Sequence, residues 1–160
     1  MKMICYCADD YALNGQISHA VRTLLQNDVI HATSCMTQSP IWNEQSNELL
    51  KLKTEITHTF EIGLHLNFTH AFNSDKILYY SLSELIIKSW TKRLNKKAIR
   101  DSIEQQWKLF VDAMGSQPDF IDGHQHIHQF PVIRNILFEF LKEQNFHGWI
   151  RNLNQIIPAR

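Results

Sequence analysis

Residues 118–128 read Pro-Asp-Phe-Ile-Asp-Gly-His-Gln-His-Ile-His, a short apolar run that changes at once into a histidine-rich segment. Phe120–Asp122 has the length and composition of a buried strand. His124, His126 and His128 then stand at alternate positions, and three histidines in that arrangement are rarely needed for packing alone. The stretch therefore predicts a buried strand with histidine side chains at its carboxyl end.

The same change from apolar to polar residues recurs twice earlier in the chain. Met3–Ala8 is predicted to be a buried strand that stops at Asp9 and Asp10, and the predicted strand Phe60–Phe68 carries His65. In parallel α/β architectures the carboxyl ends of the strands point to one edge, where active sites are built. Residues far apart in the sequence are thus expected to converge on one pocket.

The rest of the chain continues the alternation of strands and helices. Two further strands are predicted at 29–36 and 148–151, an extended segment at 76–80, and helices over 17–25, 42–52, 82–90, 97–114 and 133–141. This order predicts an α/β fold with a mostly parallel sheet flanked by helices. A closed eight-stranded barrel typically needs about 250 residues. The five strands of this 160-residue single domain therefore form either an open sheet or an incomplete barrel.

Composition and charge narrow the choice of partners and location. Sixteen basic residues balance sixteen acidic ones, so we expect neither nucleic acid nor membrane as a partner, and a neutral glycan or small molecule fits better. The apolar start is too short for a signal peptide, and no stretch approaches the roughly 20 apolar residues of a membrane span. Cys5, Cys7 and Cys35 are predicted to be buried free thiols, typical of a reducing compartment, so the expected location is the cytoplasm.

The polar strand ends predict a metal site, although each motif alone has a simpler explanation. Two imidazoles and a carboxylate suit a divalent ion and leave positions open for water and substrate. An Asp-Asp pair after a strand is often a turn or a helix cap, and His65 could be a hydrogen-bonded core residue. Because all the motifs fall at strand ends, the metal site is the favoured interpretation. The remaining histidines, at 19, 31, 58, 70 and 147, are predicted to serve packing or the surface.

Four segments of the chain resemble motifs of the YdjC-like carbohydrate deacetylases. Ala8–Asn14 is similar to the family's Ala-Asp-Asp-Phe-Gly-Leu opening, and Thr33–Met36 is similar to its second-strand motif. Gly63–Thr69 resembles its Gly-x-His-Leu-Asn-Leu-Thr, and Asp122–His128 resembles its Asp-Gly-His-x-His-x-His. These motifs cover essentially the whole chain in the family's order.

This resemblance implies a deformed β/α barrel, of which about five strand–helix units are present here. It implies removal of acetyl groups from acetylated amino sugars or chito-oligosaccharides. A divalent ion, usually magnesium but with zinc or another ion as an option, would be held by Asp10, His65 and His124. Asp9 would be the base that takes a proton from water, and the ion would polarise the acetamide carbonyl. His126 and His128 would line the pocket or touch substrate.

The chain departs from the family pattern at three places. Tyr11-Ala12 replaces the usual Phe-Gly, and Ala12 has less backbone freedom than glycine at a sharp turn. Thr69–Phe72 stands where the family has Gly-x-Pro. The family's later strands supply a His-Pro-Gly motif whose histidine is a candidate general acid, and nothing in these 160 residues matches it. The chain is therefore expected to lack the family's C-terminal part, which leaves open strand edges that favour association, for example as a homodimer.

Two other functions stay open at this point. A metal-dependent phosphoesterase or amidohydrolase is one, because Asp-x-His-x-His also opens sites in those barrels. Their histidine pairs, however, usually sit near the first strand, where this chain has aspartates. The other is a truncated, inactive deacetylase that binds sugar or metal without turnover.

Overall fold

A five-stranded sheet forms the centre of the structure, a computed structural model that describes residues 5–152. The strands are β1 (Cys7–Tyr11), β2 (Ala32–Cys35), β3 (Glu61–Leu66), β4 (Phe120–Gly123) and β5 (Trp149–Ile150). All neighbouring pairs are parallel, and the spatial order β1-β2-β3-β4-β5 is also the order along the chain. The predicted α/β fold with a parallel sheet is confirmed. Within residues 5–152 the sheet stays open, with β1 and β5 at its edges.

Five helices connect the strands. They are α1 (Gly15–Gln26), α2 (Trp42–Glu55), α3 (Leu82–Trp90), α4 (Lys96–Met114) and α5 (Ile133–Glu143). Three begin at a side-chain cap, because the oxygens of Asn14, Ser81 and Asn95 accept hydrogen bonds from free backbone N–H groups in the first turn. None of these helices, within residues 5–152, is long and apolar enough to cross a bilayer.

The hydrophobic core lies between the sheet and the helices. Trp42 of α2 stacks on Phe110 of α4 with ring centroids 6.0 Å apart, and both are almost fully buried. Gly63 leaves room for the neighbouring strand's Phe120, because a Cβ there would lie only 2.5 Å from that ring. Close packing of this kind holds the carboxyl ends of β2, β3 and β4 in fixed positions.

Several element boundaries differ from those predicted. The strand predicted at Met3–Ala8 begins at Cys7, which is the first residue to pair with β2, and it extends through the two aspartates to Tyr11. Met3 and Ile4 lie outside the described residues. The predicted strand 29–36 is shorter. Residues 76–80 form no strand, because the N–H of Ile77 donates to Ser74 in a local turn and that of Tyr80 donates to the carbonyl of Phe68.

The prediction that all three cysteines are buried was wrong for two of them. Cys5 is exposed because it lies ahead of the paired part of β1, and Cys7, which begins that edge strand, is half-buried. Cys35, inside β2, is buried as predicted. All three are free thiols.

Gly115 ends α4 in the left-handed conformation, with φ at 71°, and its N–H donates to the carbonyl of Val111. Replacing it by alanine is expected to lower the free energy of unfolding by about 1 kcal/mol, because a Cβ is unfavourable at positive φ. In a domain of this size the melting temperature should fall by about 2–4 °C.

Gly15→Ala is the matched control for this variant. A Cβ at either glycine meets no atom within 4 Å, but Gly15 begins α1 and does not have a positive φ. Its replacement should leave the melting temperature unchanged or slightly raised. Circular dichroism measures the melting temperatures of both variants. An equal fall in melting temperature in both would show that the left-handed conformation of Gly115 is not the cause.

Candidate metal site

Asp10 lies where β1 bends. Its φ is 63°, and the pairing of β1 with β2 shifts register between Ala8 and Tyr11. A regular strand would point two successive side chains to opposite faces, and such a bulge re-aims them. The bend turns Asp10 towards the histidines, whereas Asp9 contacts Arg151. Ala12, where a sharp turn was expected, also has a positive φ of 70°.

His65 is held from both sides near the end of β3. Its Nε2 lies 3.0 Å from Oδ1 of Asp10, and its Nδ1 lies 2.6 Å from Oδ1 of Asp122. Because a carboxylate only accepts hydrogen bonds, Nδ1 carries a proton that it donates to Asp122. This arrangement directs Nε2 at the position where a metal would bind, as carboxylate–histidine pairs do in metal proteins.

Asp122 and Ser34 form the support behind His65. Asp122 is the register partner of His65 on the neighbouring strand β4, and its side chain is fully buried. Ser34 of β2 donates to Asp122 Oδ2 at 3.1 Å, and its Oγ is 2.9 Å from Nδ1 of His65. The sequence analysis had not assigned either residue a role, although the adjacent strand ends already suggested that they would meet.

His124 completes the cluster. It follows β4 directly, and its Nδ1 lies 2.8 Å from Oδ1 of Asp10, the same oxygen that contacts His65. The rings of His65 and His124 meet edge to face with centroids 5.8 Å apart. One ligand atom from each of Asp10, His65 and His124 can be chosen so that all three lie within 4.8 Å of one another. The three residues predicted to hold metal are therefore brought together.

His126 and His128 lie outside this cluster. Gln125 and His126 have positive φ values of 53° and 59°, so the chain turns in a 3₁₀ segment, His124–Gln129, instead of continuing as a strand. His126 is exposed, whereas His128 is buried with its Nε2 2.9 Å from the carbonyl of Arg151. Burial lowers the pKa of His128.

Asp9 is held by Arg151, the residue that follows β5. Nη1 of Arg151 donates to both carboxylate oxygens of Asp9, at 2.7 and 2.8 Å, and lies 3.0 Å from Oδ2 of Asp122. Arg151 thus links the predicted base to the support of His65. The sequence analysis placed it only at the end of a strand. A charged residue directly after an apolar strand was the signal, the same one that revealed the other site residues.

A second group of potential ligands, formed by Cys7, Asp9 and Asp122, does not suit a metal ion. The guanidinium of Arg151 already occupies both carboxylates. Burial raises the pKa of Cys7 to about 12, and the thiolate is the form that binds metal. We therefore assign no metal to this group.

His70 also lies near the cluster, although the sequence suggested only a packing or surface role. Its ring centroid is 6.4 Å from that of His124. Asn67 sets this position, because its Oδ1 accepts from the N–H of His70 and its Nδ2 donates to the His70 carbonyl. Gln106 of α4 in turn holds Asn67 through both backbone groups, at 2.8 and 3.0 Å.

The electrostatics of the cluster fit a cation. Burial opposes ionisation of Asp10, but hydrogen bonds from His124 and His65 outweigh it and hold the pKa of Asp10 well below its usual range. Burial alone would lower the pKa of His65, but hydrogen bonds to Asp10 and Asp122 raise it to about 9. Without metal, a proton on Nε2 of His65 therefore provides the positive charge beside Asp10.

This raised pKa predicts how the metal-free protein responds to pH. The protonated ring of His65 stabilises the folded protein. This contribution to the free energy of unfolding is fully present below the ordinary histidine pKa of about 6.5 and is lost as pH rises through about 9. The expected loss is on the order of 3 kcal/mol, because one pKa unit corresponds to about 1.4 kcal/mol. Urea unfolding at pH 6 and pH 9.5, with a chelator present, measures it.

His65→Gln serves as the reference because it removes the titrating group but retains polar atoms. Groups elsewhere in the protein titrate alike in both proteins, so the difference between them isolates His65. If the wild type and the variant lose equal stability between the two pH values, the ion pair with Asp10 does not have the strength assigned to it.

Fold and site together define a parallel α/β protein with an aspartate and two histidines clustered at the carboxyl edge of its sheet. The chain belongs to the YdjC-like protein family, whose model matches residues 3–160. The family expected from the motifs is thereby confirmed.

Individual relatives agree with this assignment. A carbohydrate deacetylase of Xenopus laevis is 37% identical over 102 residues, which cover 56% of this chain and 33% of the relative. A chitooligosaccharide deacetylase of Proteus mirabilis is 24% identical over 144 residues, which cover 86% of this chain and 54% of the relative. The chain thus spans about half of the bacterial relative's length and a third of the frog protein's.

A solved structure shows the same fold. It is a protein of Enterococcus faecalis V583 whose name refers to cellobiose-phosphate cleavage, and it matches with a TM-score of 0.75 at 17% sequence identity. The match covers 96% of this chain and 59% of that chain. The open five-stranded sheet is therefore consistent with the deformed barrel expected from the motifs.

Proposed function

We propose that residues 1–160 form a single domain that carries the metal site of a carbohydrate deacetylase. The reaction is hydrolysis of the acetamide group of acetylated amino sugars or chito-oligosaccharides. The observation that supports this most is the convergence of Asp10, His65 and His124, from three strand ends, with ligand atoms within 4.8 Å. The names of the relatives support the substrate class.

The donor set fits a divalent ion. One carboxylate oxygen and two imidazole nitrogens leave further positions for water and substrate, and imidazole ligands favour zinc and other transition ions over magnesium. Magnesium, expected from the resemblance, stays a prediction that metal analysis of the purified protein tests. Such an ion would supply Lewis acidity towards water and the acetamide carbonyl.

The surrounding residues each have a part in this proposal. Asp9 takes a proton from the attacking water, and Arg151 fixes the orientation of the Asp9 carboxylate through two hydrogen bonds. Asp122 holds His65 so that Nε2 faces Asp10. Water adds to the carbonyl carbon as Asp9 takes its proton, and the C–N bond then breaks as the nitrogen takes up that proton, so that the free amine and acetate are released. His126 and His128 stay candidates for contacts with substrate.

Acetate release from N,N′-diacetylchitobiose tests the proposal, with phosphate release from an aryl phosphate as the comparison. Acetate production that stops on chelation and returns with added metal is the expected result. Phosphate release without acetate would favour the phosphoesterase alternative. Metal binding without either product would favour a protein that binds metal or sugar without turnover.

Two further properties belong to this proposal. The cytoplasmic location and the homodimer are predictions of the sequence analysis. Sedimentation of the purified chain at several concentrations tests the homodimer. Localisation of the tagged protein in its own cells tests the cytoplasmic location.

A further inference from the structure

A cavity of about 390 Å³ lies between the segments that follow β2 and β3 and the helices α2 and α4. Small-molecule sites commonly enclose about 300–1,000 Å³, and this cavity falls within that range. None of its polar groups is used by the proposed chemistry, so its purpose is a separate question.

The lining of the cavity combines apolar surface with neutral amides, and Lys76 is the one charged residue among the described residues that line it. The apolar part includes Phe72, Ile77 and Leu109, and the amides are Gln38, Asn43 and Gln105. An amide side chain offers both a donor and an acceptor. No acidic residue lies among the described residues that line it. Sugar rings present C–H faces surrounded by hydroxyl groups that donate and accept, so this lining is complementary to a pyranose.

The cavity is connected to the metal site through ring contacts. The Phe72 ring lies 4.3 Å from the His70 ring, and the His70 ring lies 6.4 Å from the ring of His124. The amide of Asn67 ties the two sides together, because its Nδ2 donates both to Gln38 Oε1 and to the His70 carbonyl. The wall of the cavity is therefore linked to the metal cluster through the rings of Phe72 and His70 and through the amide of Asn67.

The segment that carries Phe72 differs from the motif expected at this point of the chain. Thr69–Phe72 replaces the Gly-x-Pro expected at this point, and it places an aromatic ring in the cavity wall. Phe72 and Asn73 both have positive φ values, 48° and 54°, a backbone conformation that residues other than glycine adopt rarely. The backbone thus holds Phe72 at the cavity despite a local cost.

We propose that this cavity binds a pyranose ring of the oligosaccharide, next to the ring whose acetamide reaches Asp10, His65 and His124. The proposal rests on the proposed function for the identity of the ligand. Binding in the cavity requires no turnover, however, and can be measured separately.

Calorimetric titration with N,N′,N″-triacetylchitotriose tests the cavity. Phe72→Leu keeps an apolar side chain but removes the ring, and we expect about tenfold weaker binding. Asn43→Ala removes one amide, and we expect binding about three- to tenfold weaker. Asn47→Ala is the matched control, because it changes the same residue type on the exposed surface of α2 outside the cavity, and it should bind as the wild type does.

The outcomes separate the cavity from the catalytic proposal. Zinc titration should give the same affinity in all three variants. If the trisaccharide fails to bind the wild type, or if Asn43→Ala and a folded Phe72→Leu bind it as tightly as the control, the cavity proposal is overturned. If Phe72→Leu does not fold, Asn43→Ala alone decides. Cavity-dependent binding without acetate release supports the cavity and counts against the proposed activity.

Discussion

His65→Ala and His124→Ala are each expected to abolish tight binding of a divalent ion, while His58→Ala leaves it unchanged. The reason is that each removes one of only two imidazoles beside Asp10 in the cluster. His58 contacts the carbonyl of Leu25 at 2.7 Å and precedes β3, away from the carboxyl edge. Calorimetric titration with zinc and with magnesium measures the effect.

Asp122→Asn provides a graded comparison. Asp122 orients His65 but contributes no ligand atom to the Asp10 cluster, and changes to such partners typically cost about 10–100-fold in affinity or activity. The expected order of zinc affinity is wild type, then Asp122→Asn, then His124→Ala. Because His65 is buried and hydrogen-bonded, circular dichroism must show that its variant is folded. Undiminished binding in both histidine variants would remove the metal assignment.

Asp9→Asn is expected to retain metal but to lose turnover by about 10²–10⁴-fold. An amide cannot accept the proton of water, but it keeps the size of the side chain and one of the two hydrogen bonds from Arg151. Asp9 contributes no atom to the Asp10 cluster, so metal affinity should change little. Acetate release from diacetylchitobiose and zinc titration, measured on the same preparation, give both numbers.

Asp10→Asn is the counterpart, and it should weaken metal binding itself. Its Oδ1 is the atom that both His65 and His124 contact, so the amide leaves the cluster without its only negative charge. If Asp9→Asn loses metal and Asp10→Asn keeps it, the two roles are exchanged while the site remains.

The architecture could be predicted from the sequence because two strong patterns coincide. Apolar runs that alternate with segments of helical periodicity predicted the order of strands and helices. Polar residues at the ends of three of these runs predicted which side chains would converge. The exact strand limits depend instead on which backbone groups find partners. Cys7 pairs with Ala32, for example, and pairing continues to Tyr11, so the two aspartates belong to β1 itself.

The histidine-rich segment shows where periodicity fails. Alternate histidines suggested residues that share one face, but the left-handed backbone at Gln125 and His126 breaks the alternation. His124 therefore joins the cluster while His128 is buried elsewhere. A single sequence carries little information about such local conformations, because residues other than glycine adopt them rarely.

Arg151 and His70 could not be assigned for a different reason. The contact between Arg151 and Asp9 spans 142 positions, and nothing in the local sequence specifies that pairing. His70 depends on the loop that Asn67 and Gln106 hold together. Long-range pairs and loop conformations become visible only when the chain is folded.

The match between strand order and chain order has a consequence for synthesis on the ribosome. Each new strand adds beside the one made just before it, so the sheet can grow from its amino-terminal edge as the polypeptide emerges. The ion pair of Asp9 with Arg151 joins β1 to the residue that follows β5, so it can form only after the strands between them have emerged. A nascent chain that has exposed β1 to β3 would carry much of its core before Asp9 finds this partner.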